Sequence, residues 1–299
     1  MNTNKIVMQS NLQRKMYPTY FVVGALLFYV ALYVLPGLLG IGYSFTNWSA
    51  NNQALKFVGL ENYKIVFSGD ENYLKYLGNT LTFTFVTTIA KNIIGLALAL
   101  LLTKRIFMCN VHRGMMYMPV VLSTLIVGMI FKSILNPRVG LLNMALSTLG
   151  IKGSLWLINP DIAFWSVMSV DIWKGTGYIM TILIAGIMSI PKTYYEASGI
   201  DGANAWQQFR AITLPMIMPT LTVTTVLNII YGLKVFDIVY ALTNGGPGYA
   251  TEVVNTGIYK EYGFGRWAVG STLASILFVL MIFVGYFLIK MMNKNEVED

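Results

Sequence analysis

Charge is scarce in this chain. Of its 299 residues 11% are Asp, Glu, Lys or Arg and 56% are hydrophobic, with a mean hydropathy of +0.61. Soluble domains carry about 25% charged residues, so a soluble class is excluded. The lone cysteine, Cys109, permits no internal disulfide, and with a single histidine, His112, no Cys/His zinc site has its ligands. No metal and no cofactor is expected. The Gly-x-x-x-x-Gly-Lys-[Ser/Thr] phosphate loop is also missing, so the chain carries no nucleotide site of that kind. No His, Cys or paired-carboxylate constellation falls on one apolar segment, which argues against a membrane-embedded enzyme. The net charge of +8 and pI near 9.4 rest on basic residues beside apolar runs. There they fix topology and meet anionic lipid headgroups, and no nucleic-acid partner is expected.

What the chain has instead is long apolar runs. Crossing a hydrocarbon core about 30 Å thick takes roughly 18 or more such residues, and six runs approach that length: 20–43, 80–102, 115–135, 162–190, 216–242 and 269–291. They are continuously apolar rather than alternating in tens, which excludes a β-barrel. The expected fold class is all-α, one polytopic domain over 1–299 with six spans. The first run is too long for a signal-peptide core and no small-residue cleavage site closes it, so it is read as a retained span.

Lys5, Arg14, Lys15, Lys104, Arg105, Arg113, Lys192, Arg210, Lys290 and Lys294 all fall on one side of a six-span chain. The other side mixes Lys56, Lys64, Lys75, Arg138, Lys152, Lys260 and Arg266 with acidic residues in longer loops. Short basic loops stay inside, so both termini and the 191–215 loop are expected in the cytoplasm. Outside, Leu141–Leu149 reads as a short helix at the membrane surface and Asn244-Gly245-Gly246-Pro247-Gly248 as a turn that stops the fifth helix.

Five charges lie well within the apolar runs: Lys91, Asp171, Lys174, Lys234 and Asp237. Each costs about 2.5 to 3.5 kcal/mol at the bilayer centre, so they should face a wet interior. Asp171 with Lys174, and Lys234 with Asp237, are spaced to share a helix face and neutralise each other; Lys91 and Lys132 are read as snorkelling to an interface. Spans four and five are then expected to line a path for solute, with Trp173, Tyr178, Asn228, Tyr231 and Phe236 as further lining residues, because aromatic faces suit the C–H faces of sugars and amides suit hydroxyls. An ion relay built from Asp and Lys, as in a secondary transporter or channel, is the competing class.

The loop at 191–215 is polar between two apolar runs. Pro191 opens a short helix over Lys192–Ser198, Asp201 is placed to cap a second one, and Gly202 supplies the freedom for the bend. Trp206, Phe209 and Ile212 recur at helical spacing. Leu214-Pro215 is expected to end that helix and Pro219 to kink the next. The product is a rigid knob, fit to transmit displacement.

Glu196-Ala197-Ser198, Gly202, Ile212 and Leu214-Pro215 resemble the EAA loop of ABC importer permeases, with Ser198 in place of the second alanine. Asp201-Gly202-Ala203 with Phe209, Leu242-Thr243-Asn244-Gly245-Gly246-Pro247, Phe57–Tyr63 and Leu77–Leu81 resemble the carbohydrate-importing, maltose-transporter kind, with the likeness running from span one to span six. The resemblance implies a bacterial or archaeal cell-membrane permease subunit working with a second homologous permease, two cytoplasmic ATPase subunits and an extracytoplasmic sugar-binding protein, with a sugar as substrate. It implies that Glu196, Ala197, Ser198, Asp201, Gly202, Ala203 and Phe209 dock the ATPase. Gly245, Gly246 and Pro247 are expected to meet the binding protein.

Overall fold

The computed structural model describes residues 19–52, 54–69, 71–104 and 107–295. Lys5, Arg14, Lys15 and Arg105, on which part of the orientation reading rests, lie outside them, as does the side chain of Lys294. The regular elements among the described residues are helices, with one isolated bridge between Thr46 and Phe57. In chain order the helices are α1 (Thr19–Tyr29), α2 (Leu35–Tyr43), α3 (Glu61–Phe67), α4 (Tyr73–Leu102), α5 (Cys109–Val121), α6 (Thr124–Ile134), α7 (Leu141–Thr148), α8 (Pro160–Met188), α9 (Lys192–Ile200), α10 (Ala205–Gln208), α11 (Leu214–Leu233), α12 (Asp237–Leu242), α13 (Val254–Gly263) and α14 (Trp267–Asn295). Single π-turns, Val30–Val34 and Phe209–Thr213, join α1 to α2 and α10 to α11 without breaking the helical path.

Five helices are long and apolar enough to cross a membrane, and a sixth crossing exists if the bent pair α5–α6 is one span. That pair turns by 96° at Leu122-Ser123, so the run read from sequence as one straight third helix is two. Ser123 is extended (ψ 134°), and Pro119 four residues earlier has already removed a backbone donor from that turn.

The fifth run is also two pieces. Lys234, Val235 and Phe236 are non-helical, and α12 restarts at Asp237. The expected Lys234–Asp237 pair therefore straddles a break instead of sharing a face; both side chains are exposed, and no ion pair joins them.

Leu214-Pro215, in contrast, does not end a helix. The path from Ala205 to Leu233 is one 29-residue helix. The π-turn is the reason: Leu214 N–H reaches back to the Phe209 carbonyl, and this shift of register falls where Pro215 has no N–H to give. The same arrangement recurs at Val30–Val34 followed by Pro36, where Leu35 N–H bonds Val30 O.

α4 is the central element and contributes to all three apolar clusters. Phe83 packs with Val167, Met168, Ile238 and Val239; Tyr73 and Tyr76 with Val254, Val269 and Leu273; Ala99 and Leu102 with Ile179, Met180 and Leu183. Its buried polar stripe, Thr80, Thr84, Thr87, Thr88 and Lys91, follows helical spacing, and Thr80, Thr84 and Thr87 each return a hydroxyl to the carbonyl four residues earlier. α11 lies so close to this stripe that a Cβ on Gly232 would fall 2.8 Å from Thr84 Cα, which is why glycine stands there.

Candidate translocation site

Three helices meet around a buried charge pair. Lys91 on α4 and Asp171 on α8 are 2% and 1% exposed, and Lys91 Nζ lies 2.6 Å from Asp171 Oδ2. Tyr231 on α11 donates its hydroxyl to Asp171 Oδ1 at 2.9 Å and sets its ring under Lys91 Nζ, 4.6 Å from the centroid. Desolvating two charges is costly, and the arrangement offsets this by close approach, a further hydrogen bond and a cation–π contact.

Two sequence expectations are corrected here. Lys91 does not snorkel: it stands about 27 Å of helix from Tyr73 and about 17 Å from Leu102, beyond the reach of its side chain to either end. Asp171 is paired across helices with Lys91, not along its own helix with Lys174. Lys174 is half-buried and makes no ion pair among the described residues.

Beside the pair is a cavity of about 170 Å³ bounded by α4, α5, α8 and α11. Of the expected pathway residues it brings together Asp171, Lys174, Tyr178, Asn228 and Tyr231. It leaves out Trp173, which packs on Phe131 with centroids 5.1 Å apart, and Phe236, which stacks on Tyr240 at 5.2 Å. Lys234 and Asp237 are not on the cavity either. A second tie lies next to it: Thr224 Oγ1 donates to Asn92 Oδ1 at 2.7 Å, and Asn228 Nδ2 donates to the Thr224 carbonyl at 3.1 Å. Lys91, Asn92 and Thr224 were not among the expected pathway residues; the helically spaced polar stripe of α4 is the signal that finds Lys91 and Asn92, and the spacing of Thr224 with Asn228 and Tyr231 on α11 the one that finds Thr224.

At one end of α8 the chain forms an elbow. α9 ends in a Schellman arrangement: Ala203 N–H returns to Ser198 O at 2.9 Å around Gly202 at φ +79°, a backbone conformation that suits glycine. Asp201 closes α9 at its C-cap, and the cap of the second helix is Asn204, which corrects the assignment of Asp201. Asn204 Oδ1 accepts from Gln207 N–H at 2.9 Å and Gln207 Oε1 accepts from Asn204 N–H at 2.8 Å, a reciprocal capping box.

Glu196, Ala197, Asp201 and Gly202 are exposed on this elbow, and Ala203, Ser198 and Phe209 are half-buried. Ile200 is 89% and Trp206 66% exposed, so the outward face is apolar as well as acidic. Ser198 faces inward, donating to Tyr195 O at 2.9 Å and accepting from Gln208 Nε2 at 3.1 Å, contacts that an alanine would not make.

The Gly245-Gly246-Pro247 segment is tied down rather than loose. Gly245 is buried at φ +83°, where a Cβ would collide with the Glu252 carboxylate. Gly246 and Pro247 are half-buried, while Gly248 and Tyr249 form the exposed tip. Glu252 is fully buried and pairs with Lys260 at 2.5 Å. Asn79, at the start of α4, donates to the carbonyls of Ala250 and Glu252 at 3.2 and 2.8 Å, and Thr80 accepts from Val254 N–H.

Residues 91–295 match the family described as binding-protein-dependent transport system inner membrane component. The chain is 34% identical over 93% of its length, and 94% of the relative's, to a probable starch degradation products transport system permease protein, AmyD, of Thermoanaerobacterium thermosulfurigenes. It is 38% identical over 76% of each chain to the trehalose/maltose transport system permease protein MalF of Thermococcus litoralis. A bacterial ABC transporter involved in the import of the acidic polysaccharide alginate shares the fold, with a TM-score of 0.82 over 97% of this chain and 99% of that one at 22% identity. The chain therefore belongs to the inner-membrane components of binding-protein-dependent transport systems, multi-pass transport subunits of the cell membrane.

Proposed function

We propose that this chain is one permease of an ATP-driven saccharide importer, completed by a second homologous permease, two cytoplasmic ATPase subunits and an extracytoplasmic sugar-binding protein. The observation that carries the reading is the cavity between α4, α5, α8 and α11, which sets the neutralised Lys91–Asp171–Tyr231 cluster, Lys174 and Asn228 into an otherwise apolar wall. Its hydroxyl, amide and ammonium groups match sugar hydroxyls, and the faces of Tyr178 and Tyr231 match sugar C–H faces. At about 170 Å³ it falls below the ~300 to 1,000 Å³ of complete small-molecule sites, in keeping with a second permease supplying the rest. The AmyD and MalF relatives, named for starch products and for trehalose and maltose, support the saccharide class.

The elbow docks the ATPase on the cytoplasmic side, where both termini also lie. Glu196 offers a charge there, Ile200 and Trp206 apolar contacts, and Gly202 the turn that shapes the knob. The tip carried by Gly245, Gly246 and Pro247 meets the binding protein outside.

The test is uptake of labelled maltose, trehalose and maltotriose into proteoliposomes holding the whole complex and the binding protein. Uptake that needs internal ATP and continues after the proton gradient is collapsed is the expected result. Uptake that persists without ATP and follows the gradient would replace this reading with an ion-coupled carrier.

A further inference from the structure

The helix running unbroken from Ala205 to Leu233 starts in the docking elbow and ends at the cavity. It spans roughly 43 Å. Thr224, Asn228 and Tyr231 recur at spacings of four and three on one face; the first and last bond Asn92 on α4 and Asp171 on α8. A stroke delivered at the elbow thus has a direct route to the charge cluster, provided the helix does not bend on the way. Its soft place is the π-turn Phe209–Thr213, where backbone register is shifted and Pro215 donates nothing.

That place is splinted from the side. The Tyr195 hydroxyl on α9 lies 3.0 Å from Oγ1 of Thr213, the last residue of the π-turn, itself 5% exposed. One helical turn further along α9, Ser198 Oγ receives Gln208 Nε2 at 3.1 Å, just before the π-turn begins. The two contacts bracket the turn and fasten both sides of it to α9, the helix that carries Glu196.

We propose that Tyr195, Thr213, Ser198 and Gln208 form a clasp that locks the π-turn, so that the elbow and α11 move as one lever, and that the clasp sets how much solute is moved per ATP hydrolysed. The inference rests on the importer reading above. These are positioning residues: none touches solute or nucleotide. With the clasp open, the ATPase still docks and still hydrolyses, but the stroke is absorbed by bending at Phe209–Thr213 before it reaches Tyr231.

The experiment measures saccharide imported and ATP hydrolysed in the same proteoliposomes, using whichever of maltose, trehalose or maltotriose the wild-type complex imports. Tyr195→Phe and Thr213→Val are expected to lower the ratio of solute to ATP about fivefold, the population held by a hydrogen bond of ~1 kcal/mol, at unchanged complex yield and ATP turnover. Thr213→Ser, which keeps the hydroxyl, retains the wild-type ratio, and the double variant is no worse than either single one. An unchanged ratio in Tyr195→Phe overturns the clasp, as does an equal fall in yield, hydrolysis and uptake, which marks a merely structural contact. If the wild-type complex imports no saccharide at the expense of ATP, it is the importer reading that falls, and the clasp with it.

Discussion

At the scale of single residues the buried pair sets the sharpest expectation. Lys91 and Asp171 each satisfy the other in a place with almost no solvent, so removing one leaves an uncompensated charge. Lys91→Met and Asp171→Leu are each expected to destabilise the purified complex, Lys91→Met by about 3 to 5 kcal/mol, whereas the two combined cost less than either alone, because an apolar pair of similar volume needs no charge partner. Unfolding of the four species in detergent completes the cycle; strictly additive losses would mean that the two side chains do not interact. Saccharide uptake is expected to stay low in the double variant, since Tyr231 then has no acceptor and the cavity has lost its charge pair. Asp171, Lys174, Tyr178, Asn228 and Tyr231 were legible as lining residues because polar groups inside apolar runs have few places to point. Lys91 was misread because a lysine beside an apolar helix usually snorkels, and only the depth of its Cα and the approach of α8 decide otherwise. Phe236 and Trp173 show the converse: an aromatic ring in a span finds a neighbouring ring as readily as a solute.

At the scale of elements, the helical class and apolar character could be read from the sequence, while the breaks, and with them the number and length of the helices, could not. Leu122-Ser123 and Lys234–Phe236 interrupt helices without a glycine or a proline at the break itself. Pro215, a strong breaker by rule, sits in a continuous helix because a π-turn precedes it. Tertiary packing decides these cases: α6 and α12 bury Val127, Ile238, Val239 and Leu242 against α8 and α4, and the bends are what bring those side chains together. The elbow was legible in outline, from Pro191 to Gly202, and missed in its cap, since Asp201 and Asn204 are both good cap residues and only backbone geometry separates them. Asn204 has the extended conformation of an N-cap (φ −77°, ψ 170°) and Asp201 does not. Asn204→Ala is therefore expected to destabilise α10 by about 0.5 to 2 kcal/mol and Asp201→Ala by less. Hydrogen exchange at Trp206, Gln207 and Gln208 reads this directly: faster exchange in Asn204→Ala is expected, and equal acceleration by Asp201→Ala would remove the capping box as the cause.

At the scale of the whole molecule, contacts far apart in sequence hold the helix ends together at the side opposite the elbow. Arg266, leading into α14, donates to both oxygens of Glu71 before α4, at 2.5 and 3.0 Å, and to both oxygens of Glu261 at the end of α13, at 2.6 and 2.8 Å. One guanidinium thus joins segments 195 residues apart. The Arg266 guanidinium, through its hydrogen bonds above all, holds the Glu71 carboxyl below the usual carboxylate range, and burial opposes this only in part. A carboxylate whose pKa is lowered on folding stabilises the fold above its unfolded value of about 4.3, and that stability is lost as pH falls through the depressed folded value. Glu71 and Arg266 have side chains 38% and 41% exposed, so solvent screening limits the contribution to under ~1 kcal/mol. Glu71→Gln is accordingly expected to lower the apparent Tm of the complex by no more than about 3 °C at pH 7, at a fixed scan rate. The difference from wild type narrows as pH falls through the depressed folded value and closes once Glu71 is protonated in both folded and unfolded chains. A gap that widened as pH fell would mean that Glu71 is stabilised as the neutral acid, and the charge network would then not be what fastens the start of α4 to the start of α14.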